Sequence, residues 1–500
     1  MFFSEGAAQT TLPSSPSLER NANGLASLKI PSNSISHIVI RGTDIWIGTG
    51  KGAALTTDGG RNFNSFRYVP QFPRPSIFAI DVKGDTIWCS TGFTKETDAG
   101  NVQTGTGYAY SFNNGATWSS APQPMDPLND SLVTYGINTV RFIPIVVPEQ
   151  NVTFDLAAVD STVWVASWSS GLRKSTDRGS HWTRIVLPSS IRNSIAPTDT
   201  LVNYLIDPRL DNNFLLFSVF TEDNQTVWAG SAGGVNKSTD GGSSWSKFTV
   251  NNQSQPILGN WVIAIKGHRL GSRSRIWITN WPAEGANEKY GVSATDDSGR
   301  TWKTSLAGIK AYDFAFKDSI TYVATEQGLY RSSDGGESWS RSGTIIDPAS
   351  GNTLATSVFF AAGVIADSVY GGTADGLVKT IDNATHPFGQ QWEVQRTFQP
   401  VGSAASAYAY PNPFSPKLGA QRIHYSTGGT SAAVTIEVFD FGMNRVRTII
   451  RDAQRDGSRE HDELWDGRTD DGTVLPNGVY FFRVTTGGGD PAWAKVMVIQ

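Results

Sequence analysis

The chain has 500 residues, 39% of them hydrophobic and 16 of them Trp, which is enough apolar surface for a large core. A formal net charge of −4 without a long basic run argues against nucleic-acid binding. The single cysteine, Cys89, excludes an intramolecular disulfide, and no stretch reaches the ~20 apolar residues of a membrane helix.

The first segment, 1–31, is rich in Ser, Asn and Ala and lacks an apolar h-region, so it does not read as a signal peptide. It is expected to be a mature or truncated start, with Leu28 to Ile30 as a candidate closing strand.

From residue 32 two short patterns interleave. The first is an aromatic strand: I-W-I-G-T-G from Ile45, I-W-C-S-T-G from Ile87, V-W-V-A-S-W from Val163, V-W-A-G-S-A from Val227 and I-W-I-T-N-W from Ile276, with Tyr for Trp in T-Y-V-A-T-E from Thr321 and V-Y-G-G-T-A from Val369. Cys89 lies in one of these strands and reads as a small buried hydrophobe. The second pattern is a turn: T-T-D-G-G-R-N-F from Thr56, S-F-N-N-G-A-T-W from Ser111, S-T-D-R-G-S-H-W from Ser175, S-T-D-G-G-S-S-W from Ser238, T-D-D-S-G-R-T-W from Thr295 and S-S-D-G-G-E-S-W from Ser332. A worn copy, T-I-D-N from Thr380, reaches its Trp392 only after an insertion.

The acid of each turn, at Asp58, Asn113 (an amide), Asp177, Asp240, Asp297, Asp334 and Asp382, is expected to accept turn N–H groups. The Gly supplies positive φ, and the aromatic opens the next strand. Each unit then reads strand A, short turn, strand B, loop, strand C, repeat turn, strand D. Seven such units predict an all-β, seven-bladed β-propeller over 32–399. The S-x-D-x-G-x-x-W pattern resembles the Asp box of bacterial-neuraminidase-repeat propellers, the sialidase- and sortilin-like proteins, and those residues are structural in that family.

Composition changes near Pro400. A small, polar linker, 400–408, leads to a domain over 409–500 with strands expected at Arg422 to Tyr425, Val434 to Phe439, Val446 to Ile450, His461 to Trp465, Gly478 to Thr485 and Ala492 to Ile499, a small Ig-like β-sandwich. Y-P-N-P-F from Tyr410, followed by W-D-G-R-T-D-D-G from Trp465 and L-P-N-G-V-Y from Leu475, resembles the FlgD-like immunoglobulin domain that ends type IX secretion cargo of the Bacteroidetes/Chlorobi group. The terminal K-V-M-V-I-Q from Lys495 is similar to the last strand of such sorting tails, with Gln500 in place of a basic residue. The resemblance implies a secreted or cell-surface protein of a Gram-negative bacterium that meets the type IX secretion machinery. The acids Asp462, Glu463, Asp466, Asp470 and Asp471 are read as turn acids rather than a Ca²⁺ site.

Function is expected on one face. A–B turns are short, with Gly267 to Ser274 as the exception, and C–D turns are the repeat turns. The long segments fall on the opposite face: the B–C loops Phe93 to Thr106 and Pro282 to Tyr290, and the D–A loops Ala121 to Thr139, Leu187 to Asn213 and Ser342 to Thr353. Trp168, Trp261, Trp281, Tyr290, Phe72 and Phe93 lie at that face and are the expected ligand-binding rings. The loop acids Asp98, Asp126, Asp130, Asp199, Asp211, Glu284 and Glu288 include no catalytic motif, so no catalytic residue, metal or cofactor is assigned.

The expected function is a monomeric binding module for a glycan or a surface protein. Two alternatives stand beside it: an extracellular glycoside hydrolase of sialidase or xyloglucanase type, and a scaffold similar to photosystem assembly factors.

Overall fold

The computed structural model describes residues 30–397 and 407–500 apart from 68, 75, 98–99, 284, 349–352, 418, 428, 458–459 and 488–490, together with the strands Arg20–Asn21 and Gly24–Leu25. Leu28, most of the linker 400–408, and the loop acids Asp98 and Glu284 lie outside the described residues. The chain divides into two compact units, Met1–Thr397 and Phe398–Gln500.

The first unit holds seven antiparallel sheets, each built from four successive strands A to D. The A strands are Ile35–Arg41, Ile77–Lys83, Thr153–Val159, Leu216–Thr221, Trp261–Leu270, Ala311–Lys317 and Phe359–Ile365. They neighbour one another in cyclic order, with the last beside the first. The result is the seven-bladed β-propeller expected from the repeats. Strand B of each blade is covered on both faces by the neighbouring blades. Its β-branched and aromatic residues are therefore buried without alternation, as in Asp44–Thr49 and Thr162–Ser167.

The repeat turn is a closed hydrogen-bond circuit. In blade 4 the Ser238 hydroxyl donates to Asp240 at 2.7 Å and accepts the Gly242 N–H at 2.8 Å, while Asp240 accepts the Ser244 N–H at 2.9 Å. Asn113 performs the same acceptor task with its amide oxygen, taking the Thr117 N–H at 2.9 Å. At Asp58 the Asn62 N–H leads a set of donors that hold the carboxyl down at about 2.

Blade 7 departs from this pattern. Asp382 is buried and turned toward blade 6, where it accepts from the Tyr322 hydroxyl and from Arg331 Nε at 2.5 Å. The next residue, Asn383, accepts the Thr385 and His386 N–H groups at 3.0 and 2.8 Å in its place.

The ring closes without exchange of a strand among the described residues: all four strands of blades 1 and 7 come from their own segments. Ile35, Ile45, Ile47 and Phe63 of blade 1 pack with Ala361, Tyr370 and Leu377 of blade 7. Thr397 ties the seam, its N–H donating to Asn33 at 2.7 Å and its hydroxyl to the Ile30 carbonyl at 2.5 Å.

Four expected loops and turns are ordered differently. Phe93 to Thr106 continues the B–C hairpin, in strands Thr86–Thr97 and Gly100–Ser111, because T-K-E-T pairs in register with G-N-V-Q. Gly267 to Ser274 is mostly strand, in Trp261–Leu270 and Arg273–Trp281, and its turn is only residues 271–272. Ala121 to Thr139 and Leu187 to Asn213 meet in a small sheet of Leu132–Tyr135, Asn138–Phe142 and Leu205–Ile206, the last pair parallel. Ser194–Ile195 adds a fifth strand to blade 4.

The second unit is a β-sandwich of a three-stranded sheet, Ala407–Tyr410, Gln421–Tyr425 and His461–Trp465, and a four-stranded sheet in the order Arg445–Arg455, Ala432–Phe439, Gly478–Thr486, Ala492–Val498. Residues 407–408, expected as linker, begin its first strand. Asn412 of Y-P-N-P-F fastens the terminal strand, donating to the Lys495 carbonyl and accepting the Met497 N–H, both at 2.9 Å. The acid cluster is divided among separate tasks: Asp462 accepts from Tyr410 and His424, Glu463 pairs with Arg455 at 2.6 Å, and Asp470 accepts the Thr448 N–H.

Candidate functional site

Every A strand carries a β-bulge near its start, on the D–A side of the propeller. A bulge re-aims one side chain. The bulged residues are Ser36, Phe78, Phe154, Phe217, the pair Ile263-Ala264, Tyr312 and Phe360, and all of them line the central channel, a cavity of ≈ 810 Å³. Five rings are thus gathered at its mouth.

The expected ligand-binding residues join this collar in two groups. Trp168 and Trp261 meet edge-on at 6.1 Å, and both lie against Phe217, at 5.1 and 5.4 Å. Phe217 continues to Phe154 at 5.9 Å and Phe154 to Phe78 at 6.4 Å. On the other side Trp281 meets Tyr290 at 6.0 Å and Tyr312 at 5.6 Å, and Tyr312 meets Phe360 at 5.6 Å. All nine rings are half-buried. Trp281 is also anchored: its indole N–H donates to the Ala311 carbonyl of the next blade at 2.9 Å, and Lys310 Nζ stands 4.0 Å above the ring. Phe93 stands apart on the extended hairpin under the Arg74 guanidinium, at 4.7 Å. Phe72 is buried against Trp118, with ring centroids 4.8 Å apart, and joins neither group.

Below the collar, charged side chains stand among the apolar residues of the channel wall. Asp81, Asp155 and Asp313 each reach across to the next blade, accepting the N–H of Ala158 at 2.8 Å, Val219 at 3.0 Å and Ala362 at 3.1 Å. Lys266 pairs with Asp313 at 2.6 Å and donates to the Phe314 carbonyl. Enclosure in the wall drives the Asp155 carboxyl up to about 7 and Asp81 in the same direction, and it brings His37 down to about 4, so that this imidazole is neutral near pH 7.

The described loop acids are occupied with structural work. Asp126 is buried in a pair with Arg173 at 2.8 Å and accepts the Ile145 N–H at 2.9 Å. Asp130 pairs with Arg184, Asp199 accepts the Ala196 N–H, and Asp211 accepts those of Asn213 and Ser190. Glu288 takes four donors: the N–H groups of Asn260, Ala283 and Gly285 and the Asn260 side-chain amide, at 2.8–3.1 Å.

Residues 417–490 match the FlgD Ig-like domain family. No curated protein matches the chain. Among solved structures, a GH74 xyloglucanase from Xanthomonas campestris is similar over 95% of this chain and 74% of its own length, with 13% identity and a TM-score of 0.50. A GH74 enzyme from Niastella koreensis is similar over the same shares, with 12% identity and a TM-score of 0.50. PorZ, a surface component of the type IX secretion system of Porphyromonas gingivalis, aligns over 93% of this chain and 66% of its own length at 13% identity and a TM-score of 0.35. At these identities the likeness to the GH74 enzymes is one of fold.

Five collar rings were not singled out from the sequence: Phe78, Phe154, Phe217, Tyr312 and Phe360. Their signal is a column. In I-F-A, T-F-D, L-F-S, A-Y-D and F-F-A the ring holds the same place near the start of strand A. Only alignment of the A strands on their bulges makes that column visible.

Proposed function

We propose that this chain is a secreted or surface-displayed recognition module that holds a glycan or a protein against the D–A/B–C face of its propeller. The observation that carries this reading is the aromatic collar, nine half-buried rings at and around the channel mouth. Rings that keep part of their area in water can stack on sugar faces or anchor a partner's apolar side chains. The described loop acids are each committed to hydrogen bonds or ion pairs that hold the loops, which favours binding over hydrolysis. The match to the FlgD Ig-like domain, with the resemblance of its motifs to type IX sorting tails, supports delivery to the cell surface by the C-terminal unit.

The test is an array of polysaccharides and purified surface proteins, probed with the full chain, with reducing-sugar release measured on every polysaccharide that binds. Binding to at least one class without sugar release is expected, weakened about tenfold by Phe217→Ala or Trp168→Ala. Release of reducing sugar would move the chain to the hydrolases. Binding indifferent to both substitutions would remove the collar from recognition.

A further inference from the structure

Beside the collar lies a second cavity, a polar cleft of ≈ 430 Å³ on the same face. Four segments build it: the connection between blades 3 and 4 (Ser190, Asn193, Asn212), the B–C turn of blade 4 (Ala232, Gly233), the connection between blades 4 and 5 (Thr249, Asn251, Asn252, Asn260), and the B–C loop of blade 5 (Ala283, Glu288). Five of these residues are asparagines.

The asparagines divide into two kinds. Asn252 and Asn260 hold the walls: Asn252 accepts the Thr249 N–H at 2.7 Å and donates to Asn193 Oδ1 and the Lys247 carbonyl, and Asn260 accepts the Val250 N–H and donates to Glu288. The side chains of Asn212 and Asn251 make no hydrogen bond among the described residues, and neither does the amide N–H₂ of Asn193. These three residues line the cavity, Asn212 and Asn251 with side-chain donors and acceptors free and Asn193 with its N–H₂ free.

The cleft rests on a rigid base. Lys247, 2% exposed, donates to the carbonyls of Ser189 and Ser190 at 2.6 and 3.0 Å, and its N–H donates to the Asn193 carbonyl. Behind Asn212, the fully buried Asn213 joins Asn236, Ser231 and the Pro188 carbonyl. Gly233 packs so closely on this network that a Cβ there would lie 2.7 Å from the Asn213 nitrogen. Of the described lining residues only Glu288 is charged, and its two oxygens are taken by four donors. Asn260 is followed directly by Trp261, so the cleft borders the collar through one peptide bond.

Resting on the recognition reading above, we propose that this cleft is a subsite for an uncharged saccharide unit, whose neighbouring units run across the collar rings. A sugar hydroxyl donates one hydrogen bond and accepts others, and a carboxamide offers both partners side by side. Two free carboxamides and a half-free third match a run of vicinal hydroxyls. Among its described residues the cleft offers no free cation to an acidic sugar, no free carboxylate to an amine, and no apolar pocket for a peptide side chain. Its volume falls in the range of small-ligand sites, roughly 300–1,000 Å³.

The test uses the full chain and a panel of neutral hexasaccharides of glucose, mannose, galactose and xylose, beside a hexamer of galacturonic acid, each titrated calorimetrically. At least one neutral hexasaccharide binds, the uronic acid hexamer binds at least about tenfold more weakly, and Asn212→Leu with Asn251→Leu weakens the neutral ligand by about tenfold or more. The double variant should melt as the parent does, because neither side chain holds the fold; a lower melting temperature moves the test to each single variant. Absence of binding by any neutral hexasaccharide overturns the proposal, as does equal binding by parent and variant. If collar-dependent binding to another array partner persists in either case, recognition by the collar stands and only the saccharide subsite falls.

Discussion

The indole of Trp164, in strand B of blade 3, lies against the α-carbon of Gly242 in the repeat turn of blade 4, and a Cβ added there would sit 2.6 Å from the ring. The same meeting recurs around the ring: Trp46 with Gly115, Trp88 with Gly179 and Trp277 with Gly336, at 2.7–3.0 Å to the added Cβ. The aromatic strand and the turn are thus the two halves of one contact between successive blades.

Gly242 is therefore constrained twice, by a φ of 91° and by the neighbouring ring. Gly242→Ala should lose about 1–3 kcal/mol to overpacking, with about 1–2 kcal/mol more from the left-handed backbone. Urea unfolding measures it. A midpoint equal to that of the parent would show that the ring moves aside without cost.

Ser238 and Asp240 share one turn but not one environment. The serine is 1% exposed and its hydroxyl holds the Gly242 N–H, whereas the carboxylate is exposed. Ser238→Ala leaves the part-buried Gly242 N–H without its partner and should cost about 1–3 kcal/mol. Asp240→Ala exposes its N–H groups to water and should cost only about 0.5–1 kcal/mol, as at a solvent-facing cap. Equal losses for the two variants in the same unfolding assay would contradict this ranking.

The channel carboxyl of Asp155 predicts a dependence on pH. In the folded chain it titrates near 7 against a reference of 3.8, so between those values the folded state holds a proton that the unfolded state has released. Its contribution to stability is fully present below about pH 4 and declines as pH rises toward 7, by on the order of 2–4 kcal/mol. Asp155→Asn keeps an acceptor for the Val219 N–H and cannot ionise. Its stability relative to the parent should rise across that window, and parallel curves would show that Asp155 is ionised throughout.

At the blade 6–blade 7 junction, Asp382 depends on two donors. Tyr322→Phe removes one and should cost about 1–2 kcal/mol. Arg331→Met removes the counter-charge of a buried carboxylate and should cost more, about 3–5 kcal/mol before allowance for the partial exposure of the arginine. The order of the two losses, read by thermal unfolding, is the check.

A chain ending at Thr397 should unfold as one cooperative unit with strand-type circular dichroism, because the clusters of the propeller and of the sandwich share no residue. A fragment without a cooperative transition would show that the first unit requires the second.

The blades were legible because their two patterns are local, each packed into six or eight residues. What those patterns do to each other was not, since Trp164 and Gly242 are far apart in sequence and meet only when the ring forms. Polar stretches were misread where pairing overrides composition: T-K-E-T opposite G-N-V-Q became strand because a hairpin already running needs only register to continue. Trp168, Trp261 and Trp281 were visible as rings outside the repeat. The collar around them was hidden, because a bulge is a property of pairing, not of residue type. The asparagine cleft was hidden for a related reason: its members come from four segments, and no spacing in the chain connects them.

The seam between blades 1 and 7 has a consequence for how such a chain changes over generations. The four strands A to D of every blade come from one stretch of polypeptide, and the ring is shut by side-chain packing and the ties of Thr397, not by a strand borrowed from the far end. Away from blades 3 and 4, whose flanking connections share a small sheet and lend blade 4 a fifth strand, a genetic duplication or deletion that begins in one D–A connection and ends in the next would add or remove a whole blade and leave no half-sheet to repair. The faces that meet at the seam are of the same kind as those between any two blades. The architecture is thus open to recombination at those D–A connections, on the side of the molecule where the collar and the asparagine cleft are assembled.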